Sequence, residues 1–532
     1  MSKAILLFLL IFIPAGLFAQ GTLSGDLQTN INFFQKDAAI GAANNPLYDN
    51  ALSGGEGWLS LRYNIKGWTF NTRVDVFNNS NLKAPAQALT AYGLGAYSIT
   101  REMDDLTITA GYVYDQIGSG ALFRAYEDRG LLIDNALVGL ELKYKLGKNV
   151  LLKAFTGQQK LLFTRYNPVI KGFNAEGDYG IGKAHFIPGV GAINRTLDKE
   201  SMDVVAATIN GYADTAKRFL PRWNMYGFTG YNTLTYKSIS WYVENAFKTH
   251  EAIVGDSATL INKWGNVTYS NLSIAKKGLA INLSGKRTEN FVMRTSPNQT
   301  LLDGMMNWQP VVARQRPQRL MSRYTPASQD LSELAYTIDG LYSPNDVTNY
   351  SFTYTHINKL DNTELYREGL AEVYYIGLKS WRFQLGLQYM EYNIKLYQST
   401  AIKEGKTPIV YAVTPYTEVT YRFNDSKSIR MELQYMNTKQ DFGSWAFALL
   451  EYNFVPNFSL SVSDMYNITP NYDNPLVTKA NHYYSFYGAF TKGPHRLSLA
   501  YVKQVAGINC TGGVCRYEPA FSGIRSTFTT SF

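Results

Sequence analysis

Apolar and polar positions alternate along most of the chain. Leu59, Leu61, Tyr63 and Ile65 interleave with Ser60, Arg62, Asn64 and Lys66. Val138, Leu140, Leu142, Tyr144 and Leu146 interleave with Gly139, Glu141, Lys143 and Lys145, and Ile429, Met431, Leu433 and Tyr435 with Arg430, Glu432 and Gln434. Side chains of a strand point alternately to its two faces, so each segment reads as a strand with one apolar and one charged face. A soluble sandwich carries the same pattern, and the connections separate the two classes. Short turns fall at 66–68, 102–105, 147–149, 237–238, 277–278, 344–346, 379–381, 424–427, 455–457 and 492–494. Longer polar connections alternate with them, near residues 37–56, 79–91, 118–134, 163–222, 251–265, 292–331, 359–365, 398–408, 439–443, 469–480 and 507–517. A transmembrane barrel requires this alternation, with short periplasmic turns and long external loops. Ten short and eleven long connections join 22 strands, an even number that leaves both termini periplasmic. The expected fold is all-β: an antiparallel transmembrane β-barrel of about 22 strands, within a range of 18–22.

Both ends of the chain point the same way. In the last strand Ile524, Phe528 and Phe532 share one face, and Gly523, Arg525, Thr527, Thr529 and Ser531 the other. The terminal aromatic resembles the closing-strand signal that outer-membrane assembly machinery reads, which implies an assembly role for Phe528 and Phe532. At the other end Lys3 precedes the apolar run Ala4 to Ile13, and Leu17-Phe18-Ala19 offers a cleavage site. Residues 1–19 are expected to be a secretory signal peptide and 20–532 a single barrel domain. The localisation that follows is the outer membrane of a Gram-negative bacterium. The first strand, Thr22 to Gln35, follows the signal with no plug between, which argues against a TonB-dependent transporter. Trp68, Trp241, Trp381, Phe423 and Phe458 sit where strands meet short turns, as interfacial girdles do.

Composition adds little to this picture. Tyr (39) and Phe (28) are abundant, and the net charge of +9 is spread along the chain, which fits a mildly basic surface better than nucleic-acid binding. The five histidines are scattered, no Gly-x-Ser-x-Gly elbow exists, and Gly180-Ile-Gly182-Lys183 lacks the spacing of a phosphate loop. Nothing selects an enzyme or a cofactor. Cys510 and Cys515, spaced by Thr-Gly-Gly-Val in an exported chain, read as a disulfide staple across a hairpin tip.

Two insertions break the rhythm. Residues 163–222 hold a helical pattern from Ser201 to Ala216, and residues 292–331 hold Arg314, Arg316, Arg319 and Arg323. Wide lumens are usually plugged, so both are expected to fold inward. The function expected is a porin-like channel for small solutes. Its lumen would be lined by Arg62, Lys143 and Arg430 and narrowed by these loops, with Glu141 and Glu432 as carboxylates that could face the arginines. An arginine cluster on an open path favours anions. The alternative is a closed barrel that serves an outer-membrane assembly, secretion or adhesion complex. The partners expected are membrane lipid, the barrel-assembly machinery and such protein subunits.

Arg323-Tyr-Thr-Pro-Ala-Ser-Gln-Asp330, Thr438-Lys-Gln-Asp-Phe-Gly-Ser-Trp445 and Cys510 to Pro519 resemble segments of a family of uncharacterised outer-membrane barrel proteins. That resemblance implies a fold and a location, and supplies no substrate.

Overall fold

The computed structural model describes residues 21–532 apart from 84–87, 256–258, 301, 329–330, 476, 478 and 512–513. The expected signal peptide lies outside these residues. The alternating segments pair in sequence order into one antiparallel sheet. The first strand, Thr22–Phe34, pairs with Ser53–Ile65 on one side and with the last strand, Phe521–Ser531, on the other. With Asp26 opposite Ser531 and Phe34 opposite Gly523, the sheet is a closed barrel without free edges. Among the described residues no helix is long and apolar enough to cross a membrane.

The barrel has 24 strands, two more than expected. Residues 163–222 are not one loop: Thr164–Gly177 and Ala184–Thr196 are barrel strands paired from Val169↔Thr196 to Glu176↔Gly189. Tyr179–Ile181 extends the first of them, and an eleventh short turn follows, with Gly182 left-handed at φ +63. The ten expected short turns all lie on this rim. The helix predicted over 201–216 forms at Lys199–Asn210, capped by the Asp198 side chain at Ser201 N. It packs Val205 and Ile209 against Ala252 and Leu260 at the long-loop rim, so it does not fill the lumen.

The barrel is inside-out relative to a soluble fold. On the strand Lys427–Met436, Met431, Leu433 and Tyr435 are 41, 42 and 41% exposed, whereas Glu432 and Gln434 are 6 and 4% exposed. Leu140, Leu142, Tyr144 and Leu146 likewise face out while Glu141 is buried. Trp68, Trp241, Trp381, Phe423 and Phe458 are all exposed beside the short turns. An apolar exterior ringed by aromatics suits lipid, and charged inner faces suit a lumen that must hold polar contents.

Candidate functional site

The lumen is filled by the chain itself. Residues 114–136, of which 118–134 are expected only as an external connection, turn inward, as do the described residues of 290–331. Leu122, Phe123 and Met306 join Phe155, Ile170 and Ile193 of the wall in one buried cluster, where the Phe123 and Phe155 rings stack at 4.6 Å. Leu320 and Tyr324 join Tyr366, Tyr392, Val410 and Trp445 in a second. Burial of each large apolar side chain contributes about 1.5–3 kcal/mol, so the inward segments belong to the core and are not draped over it.

Ion pairs pin these segments to the wall. Arg73 binds Asp75 (2.6 Å) on its own strand and Glu127 (2.8 Å) and Asp134 (2.6 Å) of the inward segment. Lys160 also pairs with Asp134. Lys143 and Lys153 both hold Asp115 at 2.9 Å, and Lys143 lies 3.1 Å from Glu141. Arg430, half-buried, is saturated by Glu418, Glu432 and Glu451 at 2.9, 3.0 and 3.1 Å. Arg62 stands on the lumen face near the short-turn rim and donates to Asn71 Oδ1 at 2.9 Å. Lys143 and Arg430 are thus structural anchors and not a free positive lining.

The four loop arginines part ways. Arg314 pairs with Asp339 (3.1 Å), and Arg316 forms a two-bond fork with the buried Glu368 at 3.1 Å for each bond. Arg323 lies 3.5 Å from Asp441, among the rings of Tyr324, Phe442 and Trp445. These carboxylates are not Glu141 and Glu432, which are bound to Lys143 and Arg430. Arg319 alone has no ion pair among the described residues. Its guanidinium is open to a cavity yet surrounded by protein, and burial, with Arg323 close by, holds its pKa below the usual arginine range.

That cavity is the largest of three in a row. The first, about 310 Å³, lies between Arg73, Glu127, Asp134 and Lys160 and ends at Leu82, Arg516 and Tyr517. The second, about 290 Å³, shares those three residues and reaches Glu56, Glu518 and Arg525. The third, about 500 Å³, shares Glu518 and Arg525 and is lined by Arg316, Arg319, Arg323 and Asp441. The partitions come from the hairpin Gly507–Thr511 and Val514–Glu518, where Arg516 pairs with Glu518 (2.9 Å) and donates to Leu82 O (3.1 Å). Gln504 Nε2 also donates to Glu518, at 2.9 Å.

Arg525 reaches this row from the last strand. It sits 4.0 Å over the Phe521 ring and donates to Gln504 Oε1 at 3.1 Å. Its place on the polar face of that strand is visible in the sequence, but its neighbours are not. Among the described residues no group of three His, Cys, Asp or Glu is placed to hold a metal.

A model of a family of unknown function, DUF6029, matches residues 1–532. The chain belongs to this family. No curated protein matches the DUF6029 chain. Among solved structures it is similar to the P pilus usher PapC translocation pore, at 10% identity and TM-score 0.45, over 96% of this chain and 99% of that one. Pseudomonas aeruginosa OccK8 (OprE) gives 10% and 0.38, over 85% and 99%. The unliganded ferric citrate transporter FecA gives 9% and 0.40, over 96% and 78%.

Proposed function

We propose that this protein is an outer-membrane channel that its own inward segments narrow and that passes small solutes along the row of three lumen cavities. The observation that carries the proposal is the continuity of that row. Its partitions are side chains of one hairpin, Arg516, Tyr517 and Glu518, with Leu82 and Arg525, and three of these five are charged. The apolar exterior supports a lipid surround, and in this reading the short-turn rim, where Thr22 and Phe532 lie, faces the periplasm after insertion by the assembly machinery. In planar bilayers the wild type is expected to show small, steady conductance, because the inward segments leave only cavities a few hundred Å³ in volume. Complete absence of conductance would replace this reading with that of a closed barrel serving a larger complex.

Cys510 and Cys515 stand directly opposite each other in the hairpin register, which supports a disulfide at its tip. So small a loop constrains the unfolded chain by about 2 kcal/mol or less. The C510S/C515S variant is therefore expected to assemble at wild-type levels. Thiol labelling of the unreduced wild type at both positions would refute the disulfide.

A further inference from the structure

We propose that the third cavity is a binding site for a small, doubly charged oxyanion, a dicarboxylate or a phosphate, held between Arg319 and Arg525. The proposal rests on the channel reading and names the class of solute that the lumen selects. Four guanidinium groups face this space, Arg316, Arg319, Arg323 and Arg525, against two carboxylates, Asp441 and Glu518. Asp441 is committed to Arg323, and Glu518 to Arg516 and Gln504. Arg316 is satisfied by Glu368 on the barrel wall. No carboxylate forms an ion pair with Arg319 or Arg525 among the described residues. One guanidinium comes from the inward segment and the other from the closing strand, so they meet only in the folded barrel.

The Arg525 plane is fixed over Phe521, and the backbone beside Arg319 is held by Leu320 N–H, which donates to Gln434 Oε1 at 2.8 Å. The nearest carboxylate to both guanidinium groups, Glu518, is already bonded to Arg516 and Gln504, and an oxyanion between the two relieves their repulsion while it accepts charge-assisted hydrogen bonds. Guanidinium forks match carboxylate and phosphate oxygens in geometry, and a cavity of about 500 Å³ is ample for either ligand.

The test is calorimetric titration of the detergent-solubilised full chain with inorganic phosphate and, separately, with succinate, at low ionic strength. At least one is expected to bind the wild type, and the two arms tell which oxyanion is preferred. R319Q and R525Q should each weaken binding about tenfold, as expected for loss of one charge-assisted contact. R314Q, which alters an arginine outside the cavity, should leave binding unchanged. Heat-modifiable migration on gels checks that each variant is folded; Arg319 makes no side-chain bond among the described residues, so R319Q remains readable even if R525Q misfolds. Absence of binding by the wild type to either anion, or equal affinity in R319Q, would overturn the site. Binding is read without a membrane, so a chamber that binds while the barrel does not conduct would sink the channel reading alone.

Discussion

The D441N variant is expected to release residues 320–327 from the barrel wall, at a cost of about 3–5 kcal/mol in local stability, the usual penalty for removing one partner of a buried ion pair. Side chains of Arg323 and Asp441 are 11 and 6% exposed. The carboxylate also accepts from Tyr324 Oη at 2.7 Å and from Asn474 Nδ2 at 3.1 Å. Asparagine has the same size and tolerates the left-handed backbone at this position, φ +50, so the substitution isolates the charge. Without the carboxylate, Arg323 keeps the faces of Tyr324, Phe442 and Trp445. Cation–π contacts supply about 2 kcal/mol when desolvated, too little against the several kcal/mol of burying a lone cation. Amide hydrogen exchange across 320–327 should accelerate by two orders of magnitude or more, about 1.4 kcal/mol for each. The double variant R323M/D441N should recover much of the protection, since it removes the lone buried cation that D441N leaves behind. Unchanged exchange in D441N would show that the aromatic cluster alone holds the segment.

The barrel was legible because its signal is local and repeated. Each strand writes its two faces into adjacent residues, and each short turn ends a strand within a few positions. The pair Thr164–Gly177 and Ala184–Thr196 escaped because glycines, at Gly172, Gly189 and Gly191, interrupt its inner face. The Gly172 position is filled by the Phe155 ring and the Gly189 position by the Tyr231 ring, both from neighbouring strands. Small residues that make room for a neighbour's ring look like loop composition when read alone, and Pro168 and Pro188 strengthen that impression. The site was legible only in part for a different reason. Which carboxylate meets Arg314, Arg316 or Arg323 is decided by how a long segment enters the lumen. Asp339, Glu368 and Asp441 lie from 25 to 118 residues away in sequence, and nothing local marks them. The inward turn of 114–136 escaped likewise, since an external loop and a plug segment differ in destination more than in composition.

Removal of Phe532 is expected to cut the amount of folded barrel in the outer membrane by about tenfold or more. The last residue closes the seam: Gly25 N–H donates to Phe532 O at 2.8 Å, and Phe532 N–H donates to Gly25 O at 3.0 Å. Its ring rests over Gly25, where a Cβ would stand 2.7 Å from the ring, so glycine is what lets the aromatic lie flat on the first strand. Two seam hydrogen bonds of about 1 kcal/mol each would shift a folding equilibrium by about thirtyfold even if nothing recognised the aromatic. The F532A variant separates the two contributions, because it keeps both backbone bonds and loses only the ring. If the assembly machinery reads the aromatic, F532A should fall as far as the deletion, while removal of Lys406 from an exposed loop should change little. Quantifying heat-modifiable protein in outer-membrane fractions measures all three. Wild-type levels of F532A beside a deficient deletion would assign the effect to the seam's hydrogen bonds, and wild-type levels of both would show that strand pairing from Asp26 to Phe34 suffices to close the barrel.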